Sequence, residues 1–169
     1  MSGVDYQVIV VGAGAAGLLA ATRAAEEGCR TLLLEKNKRP GVKILMSGGT
    51  RCNLTQATDR RGIVKAYGAQ GPFLHSALAV LGPRELVELI EAEGVPTKVE
   101  PTGKIFPVSD RAVDVLDGLM RRFQRSGAEL GLEEPLVDLK RDGAAFVLQT
   151  PKRRLRAPRV IVTTGGLSY

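Results

Sequence analysis

Val8-Ile9-Val10-Val11-Gly12-Ala13-Gly14-Ala15-Ala16-Gly17 decides the reading of this chain: an apolar run enters G-x-G-x-x-G without a break. The β-branched residues predict a buried strand over 7–11. Ala15 to Glu27 has small side chains on its early turns, which predicts a helix lying close against a sheet and stopping at Gly28. Thr31 to Leu34 reads as a second buried strand ending at Glu35, so 7–35 is a βαβ unit with a parallel strand pair.

In that setting the glycine spacing has a chemical meaning. Gly12 permits the tight turn, Gly14 lets backbone approach a pyrophosphate, and Gly17 lets helix and strand close up. The start of the helix presents free N–H groups to phosphate, so Gly12, Ala13, Gly14, Ala15, Ala16 and Gly17 form the candidate diphosphate cradle. Glu35, 18 residues past Gly17, is placed to accept from the adenosine ribose hydroxyls, with Lys36 beside it. Its charge would repel a 2′-phosphate, which disfavours NADP in this slot.

Composition sets the frame. The 169 residues suffice for a domain with a core, and 44% apolar content is that of a globular chain. No apolar run reaches the ~20 residues of a membrane span. Two cysteines and one histidine cannot make a structural zinc site or a disulfide framework, and point to a reducing cytoplasm. The net charge of +6 suits phosphate-rich ligands, RNA included. Its basic groups are scattered, however, and read as a solvated surface; aromatics at 4% argue against a single-strand stacking platform.

Further along, 36–55 reads as a long loop, followed by short helices near 72–81 and 83–93 and a hairpin over 97–107. Ser109 is placed to cap a helix from Asp110 to Ser126. A parallel strand over 129–133 precedes a meander of pieces near 136–141, 144–150 and 153–157, and a closing strand over 159–164 enters Gly165-Gly166. The chain thus divides into βαβ 7–35, insertion 36–107, helix–strand–meander 109–157 and closing strand 159–166. This order resembles the Rossmann-like FAD-binding domain of glutathione-reductase-type flavoproteins, an α/β fold with a parallel sheet and a small antiparallel meander. The resemblance places Thr164, Gly165 and Gly166 beside FAD and the backbone near Val137 beside the adenine.

The stretch Glu35-Lys36-Asn37-Lys38-Arg39-Pro40-Gly41-Val42-Lys43-Ile44-Leu45-Met46-Ser47-Gly48-Gly49-Thr50-Arg51-Cys52-Asn53 is more specific. With Gly103-Lys104-Ile105-Phe106-Pro107 and Thr164-Gly165-Gly166-Leu167-Ser168-Tyr169, it resembles the BaiN/RdsA-type (YhiN-like) family of NAD(P)/FAD-dependent oxidoreductases, over essentially the whole chain. Val42 and Lys104 stand where Arg is common in that family, and Thr50 replaces the third Gly of an S-G-G-G run. The resemblance implies FAD as cofactor and NAD(P)H as electron donor. Its acceptors are electron-poor double bonds, either in a small steroid-like molecule or in uracil of ribosomal RNA. The family continues well beyond this length, so the chain is read as the N-terminal portion of the flavin domain, without the substrate domain. The alternatives are a truncated, non-catalytic adenine-nucleotide-binding domain, or an NAD-only dehydrogenase.

Residues 41–53 carry the remaining candidates. Lys43 and Arg51 are cations in a glycine-rich loop, placed to neutralise the pyrophosphate or negative charge on the reduced flavin. Ser47, Gly48 and Gly49 offer backbone contacts at low steric cost. Cys52, beside Arg51, is the one candidate catalytic side chain, a proton donor whose thiol pKa the cation would lower; the plainer reading is an inert packing residue. Cys29 reads as core at the head of a strand, and His75 as a surface or packing residue of a short helix.

Overall fold

Val8–Val11 (β1) and Thr31–Leu34 (β2) are buried at every position and pair in parallel, Val8 opposite Thr31 and Val11 opposite Leu34, with Ala15–Glu26 (α1) crossing between them. This is the expected βαβ unit. The computed structural model describes residues 4–166; Leu167, Ser168 and Tyr169 of the family-like terminal stretch lie outside it. Glu129–Gly131 (β6) joins β2 in parallel, and Arg159–Val162 (β10) joins the other side of β1, giving the order β10-β1-β2-β6. Asp138–Asp142 (β7), Ala145–Gln149 (β8) and Arg154–Ala157 (β9) form the antiparallel meander.

The two sheets bury their apolar faces against each other. Tyr6, Ile9, Val11, Leu32 and Leu34 make one cluster with Leu148, Leu155 and Ala157 from the meander. All eight are at most 5% exposed, so removing that surface from water is what holds the meander in place. These elements belong to a first compact unit, residues 1–43 and 119–169.

Residues 44–118 make a second unit, so the insertion expected over 36–107 closes on itself and extends past its expected end. Thr55–Gln56 (β3), Thr97–Val99 (β4) and Lys104–Pro107 (β5) form an antiparallel sheet in the order β3-β5-β4. Arg60–Ala66 (α3), His75–Val80 (α4) and Pro83–Ala92 (α5) complete the unit with a 3-10 turn over Gly68–Leu74. Val42–Met46 (α2) lies in the stretch read as loop. The helix expected from Asp110 starts at Ala112 and runs to Ser126 (α6). Asp110 has a left-handed φ of 55° and its carboxylate accepts from Lys98 (2.5 Å), so the backbone there turns before the helix begins.

The S-G-G-T-R-C-N loop is wound in the left-handed region: Gly48, Gly49, Thr50 and Cys52 have φ of 57°, 67°, 71° and 63°. Glycine adopts this freely, whereas a β-branched side chain is crowded against its own carbonyl. Replacing Thr50 by glycine is expected to relieve that strain. Thr50→Gly should gain about 1 kcal/mol after the extra freedom of the unfolded chain is counted, raising the thermal midpoint by about 2–4 °C. A thermal unfolding scan checks this; a lowered midpoint would show that the threonine side chain stabilises the loop by more than its strain costs.

Candidate functional site

The three glycines of the first turn do different jobs. Gly12 has φ 102°, and a Cβ there would lie 2.8 Å from the Thr163 carbonyl oxygen. A Cβ on Gly17 would lie 1.8 Å from the Gly12 carbonyl oxygen, so any side chain would push α1 off β1. Gly14 faces open space, with no atom within 4 Å of a built Cβ. Gly14 is also the N-cap of α1, and no side chain caps that end. Two glycines are therefore required by packing, while the middle one and an uncapped helix start leave a backbone cradle open to an anion.

Thr163 locks this turn from the closing strand. Its amide donates to the Val11 carbonyl (2.9 Å), and its hydroxyl lies 2.9 and 2.8 Å from the carbonyls of Val11 and Gly12. Sequence reading named Thr164, Gly165 and Gly166 but not Thr163; its signal is weak because any residue could precede a glycine turn. Lys43 reaches the same segment, with Nζ 3.3 Å from the Gly166 carbonyl. Val137, expected near the adenine, has its amide committed to the Gln149 carbonyl at 2.8 Å, which leaves that N–H unavailable to a ligand.

Glu35 is buried (7% exposed) at the end of β2. One carboxylate oxygen accepts from the Ala13 amide (2.8 Å); the other accepts from the amide and side chain of Asn37 (2.9 and 2.7 Å). Its backbone is fixed as well, donating to the Gly131 carbonyl and accepting from the Glu134 amide, both at 2.8 Å. Glu134, only 2% exposed, accepts from Thr150 (3.0 Å) and from both ends of the Arg153 guanidinium (2.8 and 3.1 Å). Burial pushes the Glu134 carboxyl up, but the hydrogen bonds from Arg153 and Thr150 outweigh it and hold the group below its ordinary value. That contribution to stability is present at neutral pH and is lost as pH falls through the acidic range. Asn37, Glu134 and Arg153 were not singled out in the sequence, because nothing local ties 134 or 153 to position 35.

Ser47, Gly48, Gly49, Arg51 and Cys52 belong to the second unit. Arg51 is engaged there: its guanidinium contacts Glu100 (2.5 Å) and Asp110 (3.3 Å) and stacks over the Phe106 ring at 4.1 Å. The expected lowering of the Cys52 thiol by its neighbour is therefore corrected. The guanidinium is turned onto two carboxylates, and burial pushes the thiol up to about 11. Cys29, expected as core, is only half-buried and precedes β2; His75 is exposed at the head of α4.

The thiol chemistry is checked by alkylation. With iodoacetamide near neutral pH Cys29 should react first. Cys52 should stay intact, since at about four units below its pKa only about one part in ten thousand is thiolate. Rapid modification of Cys52 in the folded protein would contradict this.

Parallel sheet, glycine turn, buried acid and meander together define a dinucleotide-binding Rossmann domain of the FAD type. The chain belongs to the family described as HI0933-like protein Rossmann domain, which matches residues 6–169. It is 32% identical over 164 residues to the ribosomal RNA dihydrouridine synthase of Escherichia coli K12, covering 96% of this chain and 40% of that protein. The Haemophilus influenzae protein of the same name is 32% identical over 166 residues, again covering 40% of its length. The chain thus spans about two fifths of these curated relatives. Among solved structures, a 3-ketosteroid dehydrogenase from Rhodococcus jostii RHA1 matches the fold with a TM-score of 0.70 at 14% identity, over 98% of this chain and 47% of that one. Among the described residues no helix is long and apolar enough to cross a membrane, and no cluster of His, Cys, Asp or Glu could hold a metal.

Proposed function

We propose that this chain is the FAD-binding part of a flavin-dependent oxidoreductase. It would take electrons from NAD(P)H and reduce an electron-poor double bond, with uracil in ribosomal RNA as the favoured acceptor. The observation that carries the reading is the open space at Gly14 beside an uncapped helix start, flanked by the buried carboxylate of Glu35. This fits a dinucleotide: the amides of the first turn of α1 hold the diphosphate, and Glu35 holds the adenosine ribose. Bound FAD supplies two-electron transfer, which needs few protein side chains. The substrate reading is supported by the two relatives named ribosomal RNA dihydrouridine synthase.

In this site the protein's own groups orient and neutralise. Thr163 holds the shape of the turn, and Lys36 and Lys43 bring positive charge. Within the second unit, Arg51 is held by Glu100 and Asp110. Burial pushes the Cys52 thiol up to about 11, which makes it a weaker acid than an ordinary thiol and favours the reading of a packing residue. A second reading, adenine-nucleotide binding without turnover, draws on one observation: the Ala13 amide donates to Glu35 at 2.8 Å, so the glycine turn and the acid form one piece, and that reading calls on no other part of the chain.

Flavin loading tests the proposal. The protein should show the flavin absorbance band after incubation with FAD, and NADH or NADPH should bleach it without oxygen. Gly14→Val, which fills the cradle, should weaken FAD by at least about tenfold, a loss of about 1.4 kcal/mol, while the thermal midpoint holds. Binding of ADP without uptake of FAD would favour the second reading, and undiminished FAD affinity in Gly14→Val would contradict both. In the flavin-loaded protein Cys52→Ala should leave turnover within about twofold. A general acid's loss would instead cost roughly a hundredfold or more.

A further inference from the structure

The net charge is divided unevenly. The first unit carries 16 Lys and Arg against 9 Asp and Glu; the second carries 8 against 9. The diphosphate of one dinucleotide answers only a small part of that excess.

Within the first unit the fold brings a cation distant in sequence to a basic run. Lys36, Lys38 and Arg39 follow β2; all three are exposed and, among the described residues, make no ion pair. Between them the Asn37 carbonyl accepts from the Glu133 amide (3.0 Å), which ties this stretch to the segment leaving β6. Lys152, from the distant turn between β8 and β9, lays its ammonium on the Leu132 carbonyl of that same segment (2.6 Å). At the other end the Gly41 amide donates to the Ala13 carbonyl (2.8 Å), so the stretch runs up to the glycine turn. The nearby acids do not cancel these charges: Glu35 is buried on Ala13 and Asn37, Glu134 is paired with Arg153, and Glu133 is the one exposed carboxylate between them.

We propose that this ridge docks the phosphodiester backbone of an RNA, with Lys38, Arg39 and Lys152 as the phosphate contacts. The inference rests on the RNA-reducing reading above and says which face of the first unit the RNA meets. Exposed cations read phosphate and set position without reading sequence. The scarcity of aromatics, 4% of residues, fits contact with the backbone of a paired stem better than stacking of unpaired bases. A small steroid-like acceptor would give such a ridge nothing to hold.

Filter binding of a ribosomal RNA fragment to the whole chain, over a KCl series, tests this. The triple reversal K38E/R39E/K152E should weaken RNA binding at least tenfold at about 0.1 M salt and reduce the salt slope by about two to three, one for each lost phosphate contact. Its affinity for ADP should be unchanged, which shows that the domain is folded. The control reversal R61E/K65E on α3 should leave RNA binding intact. Unchanged RNA affinity and slope in the triple variant would overturn the proposal, as would an equal loss in the α3 control. A wild-type protein that takes up FAD but binds no RNA overturns the ridge and leaves the flavin reading standing. Ridge-dependent RNA binding by a protein that takes up no FAD supports the ridge and overturns the flavin reading.

Discussion

A buried carboxylate with no donor is costly, and the end of this parallel sheet is organised around meeting that demand for Glu35. Three hydrogen bonds reach its two oxygens, from Ala13 and from both donors of Asn37. The first of these ties the glycine turn to the end of β2, so turn and acid form one rigid piece. The same residue is pinned through its backbone to Gly131 and Glu134, and Glu134 is held by Thr150 and Arg153 of the meander. The meander is thus more than a decoration on the sheet. It covers the apolar face, and its turn anchors the segment that positions Glu35.

The glycine turn obeys the same economy. Backbone meets backbone at Gly12 and Gly17, where a Cβ would strike the carbonyls of Thr163 and Gly12. Thr163 ties the closing strand to that contact from the far side of β1. Only Gly14 is free of neighbours, and it sits where the helix dipole and free amides point. Packing and ligand chemistry therefore make separate claims on three glycines spaced within six residues.

The βαβ unit was legible because its signals are local. A β-branched run, small residues on the first helical turns and an acid at the next strand end each speak within a few positions. The meander and closing strand were legible for a similar reason, through Asp142-Gly143 and the apolar run ending at Val162. What was not legible depends on distance. Arg153 and Glu134 meet only once the meander folds back, and Arg51 finds Glu100 and Asp110 only when 44–118 closes on itself. Arg51 also misled the reading of Cys52, since adjacency in sequence said nothing of where the guanidinium would turn. α3 was missed because its capping Asp59 is followed by Arg-Arg-Gly rather than by an apolar face.

The proposed function requires Glu35 to recognise an adenosine ribose while the turn holds its diphosphate. Comparing the affinity of the wild-type protein for ADP and for 2′,3′-dideoxy-ADP tests this most directly. A hydroxyl bonded to a buried carboxylate is worth about 1.5–3 kcal/mol, so ADP should bind at least about tenfold more tightly. Equal affinity for the two nucleotides would show that the carboxylate serves only the fold, and would contradict the account.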